Sequence, residues 1–500
     1  MVQIPETAGC TPHHFSTWWI QEDTLTKEAQ AQGAYAIRDN LTHEALFGQR
    51  GWCHTLYPKV RKDLIFTICD GWELPDSQHG RAPLNVGLFG SQVLDAGKFP
   101  GYGDTPAERL KSYADNVKAA GWKGAGLWIC AQEDAAHQRA DGSFDPAYWI
   151  ERLSWSRDAG IAYWEVDWGR HCGNPAFRRF LSLMARELAP ELVIEHIVGC
   201  GGLNDEFGAG RVSPAYLHAC VQYARFSDVF RSYDITHQLS LATTLDRVAE
   251  LLLHALTPEE GACGYVCCED EVYLAGALGL TTMVMRHAAH YTALDEVARV
   301  LRWQRLAPAF PLKAGDAQIS TELLADEWTF RGDTWFTVVD GKTVKQYAPA
   351  VTARGGLALP KVETDGTAPF VAASRYPCGA VALGVFGRTL EGHVGDVSAC
   401  RAAKITLELA TTPRAFALFG EVGSLCLKFP MTPSRLRVYA ADLLAEGPPI
   451  DISGSVFLDG ETLTLDGALL ARIGLSAASM GDTSRPGVLL SIEQEKGETL

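Results

Sequence analysis

At 500 residues, with 47% hydrophobic and 21% charged side chains, the chain can bury the cores of about two to four domains. Its 60 acidic against 44 basic side chains give a formal charge of −16, which excludes a nucleic-acid backbone or an anionic membrane surface as the main partner. There is no apolar run long enough for a membrane span, and the opening MVQIPETAGCTPHHF has no basic segment followed by an apolar one; with 13 scattered cysteines this reads as a cytoplasmic protein with reduced thiols and a small, neutral partner.

Residues 1–58 carry no clear periodicity and are expected to form a lead-in packed on the domain that begins at residue 59. From there the chain alternates apolar strands with capped helices. LIFTICDGW is a strand ending in Asp70 and Trp72. In GDTPAERLKSYADNVKAAGWKGAGLWICAQE, Thr105 and Glu108 have capping-box spacing and Pro106 occupies the first helical position, where a missing N–H costs nothing. Leu110, Tyr113, Ala114 and Val117 then follow the helical period up to a stop at Gly121, and the strand GLWIC ends at Gln132 and Glu133, just past Trp128. Asp145-Pro146 opens a helix that ends at Gly160 and feeds IAYWEVDWG; Asn174-Pro175 opens another that feeds LVIEHIVG. Repeated βα units with near-continuous apolar strands predict a parallel sheet covered by helices, and the run over 59–312 fits a (β/α)8 TIM barrel. A doubly wound sheet shares the pattern, but no dinucleotide-type glycine fingerprint opens these helices. Over 313–500, segments such as GAVALGVFG, KITLELA and GSVFLDGETLTLDG predict a C-terminal antiparallel β-sandwich region of one or two subdomains.

A barrel does its chemistry where its strands end. Those ends present Asp70, Trp72, Trp128, Glu165, Asp167, Trp168, Glu195, His196, Arg231, Asp234, Glu269, Asp270 and Glu271. Aromatic faces interleaved with carboxylates suit a sugar, which offers an apolar C–H face and a rim of hydroxyls. Glycosidic cleavage needs two carboxylates, and Asp167 and Asp234, on different strands, could face each other across a barrel mouth. Residues i and i+2 of a strand share a face, so Glu165 and Asp167 are expected to repel and one pKa to rise: Asp167 stays ionised, while Glu165 keeps a proton or leans on Arg231. Cys263, Cys267 and Cys268 read as buried strand cysteines rather than metal ligands, and His287 and His290 as capping or packing residues. Asp205 and Glu206 are the fallback for the acid.

The order of DLIFTICDGW, DAGKFPGY, VKAAGWKGAGLWI, YWEVDWG and VFRSYDI resembles the barrel motifs of the α-galactosidase-like glycoside hydrolases, families 27 and 36. That resemblance implies a retaining reaction through a covalent glycosyl-enzyme, with Asp167 as nucleophile, Asp234 as acid/base, and an antiparallel β domain after the barrel. It also implies a subsite lined by Asp70, Trp72, Trp128, Glu165, Glu195, His196, Arg231 and Asp270, no cofactor, and a small oligosaccharide or glycoside as substrate. The chain departs from the group's pattern at Cys69, where an aspartate is usual, at Glu165, where a lysine is usual, and in the spacing of Arg231 from Asp234. Two other readings are a metal-dependent barrel hydrolase or isomerase using Glu195, His196, Asp270 and His287, and a non-catalytic carbohydrate-binding protein.

Overall fold

The computed structural model describes residues 2–75, 89–197, 214–231, 241–289, 291–329, 341–390, 393–431, 433 and 436–494. Eight strands close into a barrel: β1 (His13–Ser16), β2 (Leu64–Ile68), β3 (Gly124–Ile129), β4 (Tyr163–Val166), β5 (Val193–Ile197), β6 (Val229–Arg231), β7 (Tyr265–Glu269) and β8 (Thr281–Val284). All neighbours run parallel, and the ring shuts where His14 and Phe15 pair with Met283 and Val284. The first strand lies inside the segment expected to be a lead-in, so the barrel begins at residue 13 and not at 59. Four residues, HHFS, are too short a strand for alternation to stand out.

Helices cover the barrel as the caps predict. Thr105 Oγ1 accepts from the Glu108 backbone N–H at 3.3 Å and Glu108 Oε2 accepts from that of Thr105 at 2.9 Å, opening the helix Pro106–Ala119. Asp145 and Asn174 cap Pro146–Ala159 and Pro175–Leu188 with their side chains alone, accepting from backbone N–H groups of the first turn. Between β1 and β2 run short helices, among them Trp18–Asp23 and Ala34–Asp39. Among the described residues no helix is long and apolar enough to cross a membrane.

Past the barrel, an eight-stranded and a five-stranded sheet pack face to face. Most pairings are antiparallel; Val351–Arg354 with Phe370–Arg375, Val381–Phe386 with Phe416–Gly420, and Lys404–Glu408 with Ser424–Lys428 run parallel. In the larger sheet Gly487–Gln494 lies between Leu436–Asp442 and Phe416–Gly420. Side-chain alternation divides that sheet's contacts: Phe416 and Leu418 join the sandwich core, whereas Ala417 and Phe419 join the barrel's core. A Cβ on Gly276, in the helix Val272–Leu278, would lie 2.9 Å from the Phe419 ring, so the missing side chain lets sheet and barrel close on each other. Arg299 on the barrel donates to both carboxylate oxygens of Asp442 at 3.0 and 3.1 Å, a fully buried pair that joins the two parts.

Candidate active site at the barrel mouth

Asp167 is the first residue past β4. Its N–H donates to the Ile129 carbonyl at 3.0 Å, and its own carbonyl accepts from Arg178 Nη2 at 3.0 Å. The following turn is fastened to the end of β3, with Ala131 N–H to Trp168 O at 2.7 Å and His171 N–H to Ala131 O at 2.8 Å. Gly169 makes this approach possible: its φ is +135°, and a Cβ there would sit 2.8 Å from Ala131 backbone atoms. The carboxylate is thus held on both chain sides before any side-chain contact. Its Oδ2 accepts from the Trp128 indole N–H at 3.0 Å, and 7% of the residue is exposed.

Around it stands an aromatic wall. Trp128 and Trp168 lie 5.9 Å apart between ring centres, and Phe89 contacts both, at 5.7 and 5.0 Å. Trp18 packs on the same cluster, which also contains Cys69 and Cys130. Asp70 closes the adjoining side at the end of β2, paired with Arg38 Nε at 2.8 Å; Arg38 also lies over the Phe89 ring at 4.8 Å. Burial raises the Asp70 pKa, with nearby Asp167 adding to the rise and Arg38 and Lys98 opposing it.

Beneath the mouth, in the barrel interior, Arg231 meets three carboxylates: Glu165 in close contact, Glu269 at 3.3 Å and Glu195 at 3.7 Å. Its guanidinium also touches Met283 Sδ. All four charged residues are buried. Burial pushes the Glu165 carboxyl up to about 7; Arg231 pulls it back, and Glu195 and Asp167 add to the rise. Of the two alternatives expected for Glu165, the contact with Arg231 is present, and burial makes the carboxyl hold its proton more tightly than an ordinary one.

The other expected site residues are placed differently. Trp72 is fully buried, with its indole N–H donated to the Trp128 carbonyl at 2.8 Å, so it is wall packing rather than a sugar platform. His196 faces away from the interior, as its position next to inward Glu195 requires; its ring meets Ser182 Oγ at 2.8 Å and Arg178 Nη1 at 3.3 Å beneath Pro175–Leu188. Glu195 lies inside the barrel, below the mouth. Asp270 has φ +52°, is fully buried, and spends Oδ1 on the backbone N–H groups of Met285 and Arg286 at 3.0 and 3.3 Å. Asp234, Asp205, Glu206 and His290 lie outside the described residues. The four residues weighed as metal ligands do not converge: besides the placements of Glu195, His196 and Asp270, His287 Nε2 pairs with Asp23 at 2.8 Å. Cys267 and Cys268 are buried in β7, whereas Cys263 is exposed ahead of it.

Sequence reasoning missed Trp18, Arg38 and His14, all from the stretch taken as a lead-in. The available signal was HHFSTWWI, a short strand running directly into a helix, which is the βα pattern in its shortest form.

No family model matches the sequence, and no curated protein matches it. Solved structures similar in chain course include a family 27 β-L-arabinopyranosidase from Geobacillus stearothermophilus, 10% identical, covering 98% of both chains with a TM-score of 0.41. Another is α-galactosidase I from Mortierella vinacea, 10% identical over 97% of both chains, TM-score 0.39. A third is an α-galactosidase from Saccharomyces cerevisiae solved with raffinose, 9% identical over 97% of this chain and 95% of that one, TM-score 0.37. All three are glycosidases. Likeness at this level describes chain course and says nothing of individual site residues.

Proposed function

We propose that this protein is a retaining glycoside hydrolase that removes a terminal α-linked sugar from a small oligosaccharide or glycoside, with Asp167 as nucleophile. The observation that carries this reading is a carboxylate at the end of β4, fixed through its backbone and by the Trp128 indole, opening beside an aromatic wall of Trp128, Trp168 and Phe89. The aromatic faces would take the C–H face of a pyranose, while Asp70 and Arg38 supply acceptor and donor for its hydroxyls.

In this mechanism Asp167 attacks the anomeric carbon as the leaving oxygen takes a proton from the acid, for which Asp234 remains the candidate. Water then hydrolyses the glycosyl-enzyme with the acid now acting as base. The indole N–H of Trp128 fixes the orientation of the attacking carboxylate. Glu165, carrying the more tightly held proton, stands where the resemblance group has lysine and would donate to a substrate hydroxyl. Trp72, His196 and Asp270 have no part in it.

The test is hydrolysis of nitrophenyl α-galactoside, α-N-acetylgalactosaminide, β-L-arabinopyranoside and α-glucoside by wild type and Asp167→Ala. The expected result is turnover of one member, reduced on the order of 10,000-fold in the variant, with a covalent adduct at Asp167 when a 2-fluoro analogue of that sugar is used as a trap. Undiminished hydrolysis by Asp167→Ala would remove Asp167 from the chemistry.

A further inference from the structure

Inside the barrel, three side chains from three strands converge on one point away from the mouth. His14 comes from β1, Glu195 from β5 and Cys267 from β7, and each offers one ligand atom within 4.8 Å of the other two. All three are buried, and His14 Nε2 lies 3.5 Å from Glu195 Oε2. Ligand atoms on a tetrahedral zinc ion, with bonds of about 2.0–2.3 Å, lie about 3.3–3.8 Å apart, so this pair already has the right spacing.

Two independent observations ask for something at this point. The first is His14 itself. Its ring is fully buried and stacked on Tyr163 at 4.4 Å, yet among the described residues neither ring nitrogen has a hydrogen-bond partner. The Tyr163 hydroxyl beside it has none either. A buried polar atom without a partner costs about 1–3 kcal/mol, so interiors seldom keep several together. The second is the convergence itself: Glu195 and Cys267 reach the same point from two other strands, so a cation held there would engage the His14 lone pair together with a carboxylate and a thiolate.

We propose that His14, Glu195 and Cys267 bind a divalent zinc-class ion that ties β1, β5 and β7 together across the barrel interior. The donor set selects the metal: one imidazole, one carboxylate and one thiolate suit zinc or cobalt, whereas magnesium and calcium take oxygen donors. All three donors are buried, so the proposed role is to hold the strands and not to meet substrate, and it stands apart from whether the mouth above hydrolyses sugars.

The test uses the full chain, expressed in zinc- or cobalt-supplemented medium and purified without chelator. Metal per chain is measured in folded wild type, Cys267→Ser, Cys267→Ala, His14→Gln and Cys268→Ser; Cys268 is the next residue and points to the opposite face. About one equivalent is expected in wild type and Cys268→Ser, falling about tenfold or more in whichever Cys267 and His14 variants fold. Cobalt-loaded wild type should show near-ultraviolet thiolate-to-cobalt absorption that Cys267→Ser and Cys267→Ala lose. Folded wild type without stoichiometric metal from either medium, or metal content and absorption unchanged by loss of the Cys267 thiol, would overturn the assignment.

Discussion

Replacing Arg231 by methionine keeps most of the side chain's length and removes its charge. Three buried carboxylates then face one another: Glu165, formerly in close contact, Glu269, formerly at 3.3 Å, and Glu195, formerly at 3.7 Å. With an effective dielectric of about 20, a pair at such a range is worth roughly 5 kcal/mol of Coulomb attraction before desolvation. Desolvation of the ions cancels much of that, and removing one partner of a buried pair costs about 3–5 kcal/mol. A loss near 4 kcal/mol is expected, or about 4–6 °C in Tm for a chain of this size. Differential scanning fluorimetry of chelator-treated protein at neutral pH gives the shift directly. The double variant Arg231→Met/Glu269→Gln sharpens the test, because one stranded charge is removed with the cation. It should be more stable than Arg231→Met alone by about 1–3 kcal/mol, the usual coupling of contacting charges. A Tm drop under about 1 °C for Arg231→Met, or strictly additive losses in the double variant, would refute the reasoning that Arg231 holds this cluster together.

Trp128→Phe deletes the indole N–H that Asp167 accepts at 3.0 Å, and loss of that charge-assisted bond should lower kcat about 10- to 100-fold on the substrate the panel identifies, with KM little changed. Gly169→Ala places a Cβ against the Ala131 backbone in a left-handed conformation; a cost of about 1–3 kcal/mol is expected, read as a lower Tm together with reduced turnover as the Asp167 turn shifts. Glu73 accepts from the backbone N–H groups of Gly90 and Gln92, and burial raises its pKa from an ordinary 4.5 to about 7. A carboxyl raised on folding stabilises fully below its unfolded value and loses that contribution as pH climbs through about 7, a swing of about 3 kcal/mol. Tm against pH should therefore fall less steeply between pH 4.5 and 7 in Glu73→Gln than in wild type, and parallel curves would remove Glu73 from the pH response.

The parts of the fold legible in the sequence were those with local chemistry. Thr105 and Glu108 bond each other's backbone as their spacing demands, and Gly160 takes the left-handed turn, at φ 70°, that ends its helix. Parity along a strand explained Glu165 and Asp167 as neighbours on one face. The same parity, applied to Glu195 and His196, would have sent His196 out to Ser182; listing strand-end residues by polarity alone concealed that. Trp72 was misplaced because an indole beside an aspartate looks alike whether it faces solvent or the Trp128 carbonyl. Non-local pairing was least legible. Nothing in HHFS announces Met283 and Val284 as partners, and nothing in Arg231 announces Glu269, from another strand, as a second acid beside it.

The position of two strands bears on how such a chain is made. β1 finds its second partner only when β8 has emerged, about 270 residues later. Likewise Phe416–Gly420 and Leu436–Asp442 wait for Gly487–Gln494 to come between them. Until β8 emerges the barrel is an open ribbon with bare hydrogen-bonding edges, and the large sheet stays one until Gly487–Gln494 emerges. Nascent chains on the ribosome should thus be prone to edge-to-edge association, and chaperone demand should end abruptly, once the last strand is threaded into the middle of its sheet.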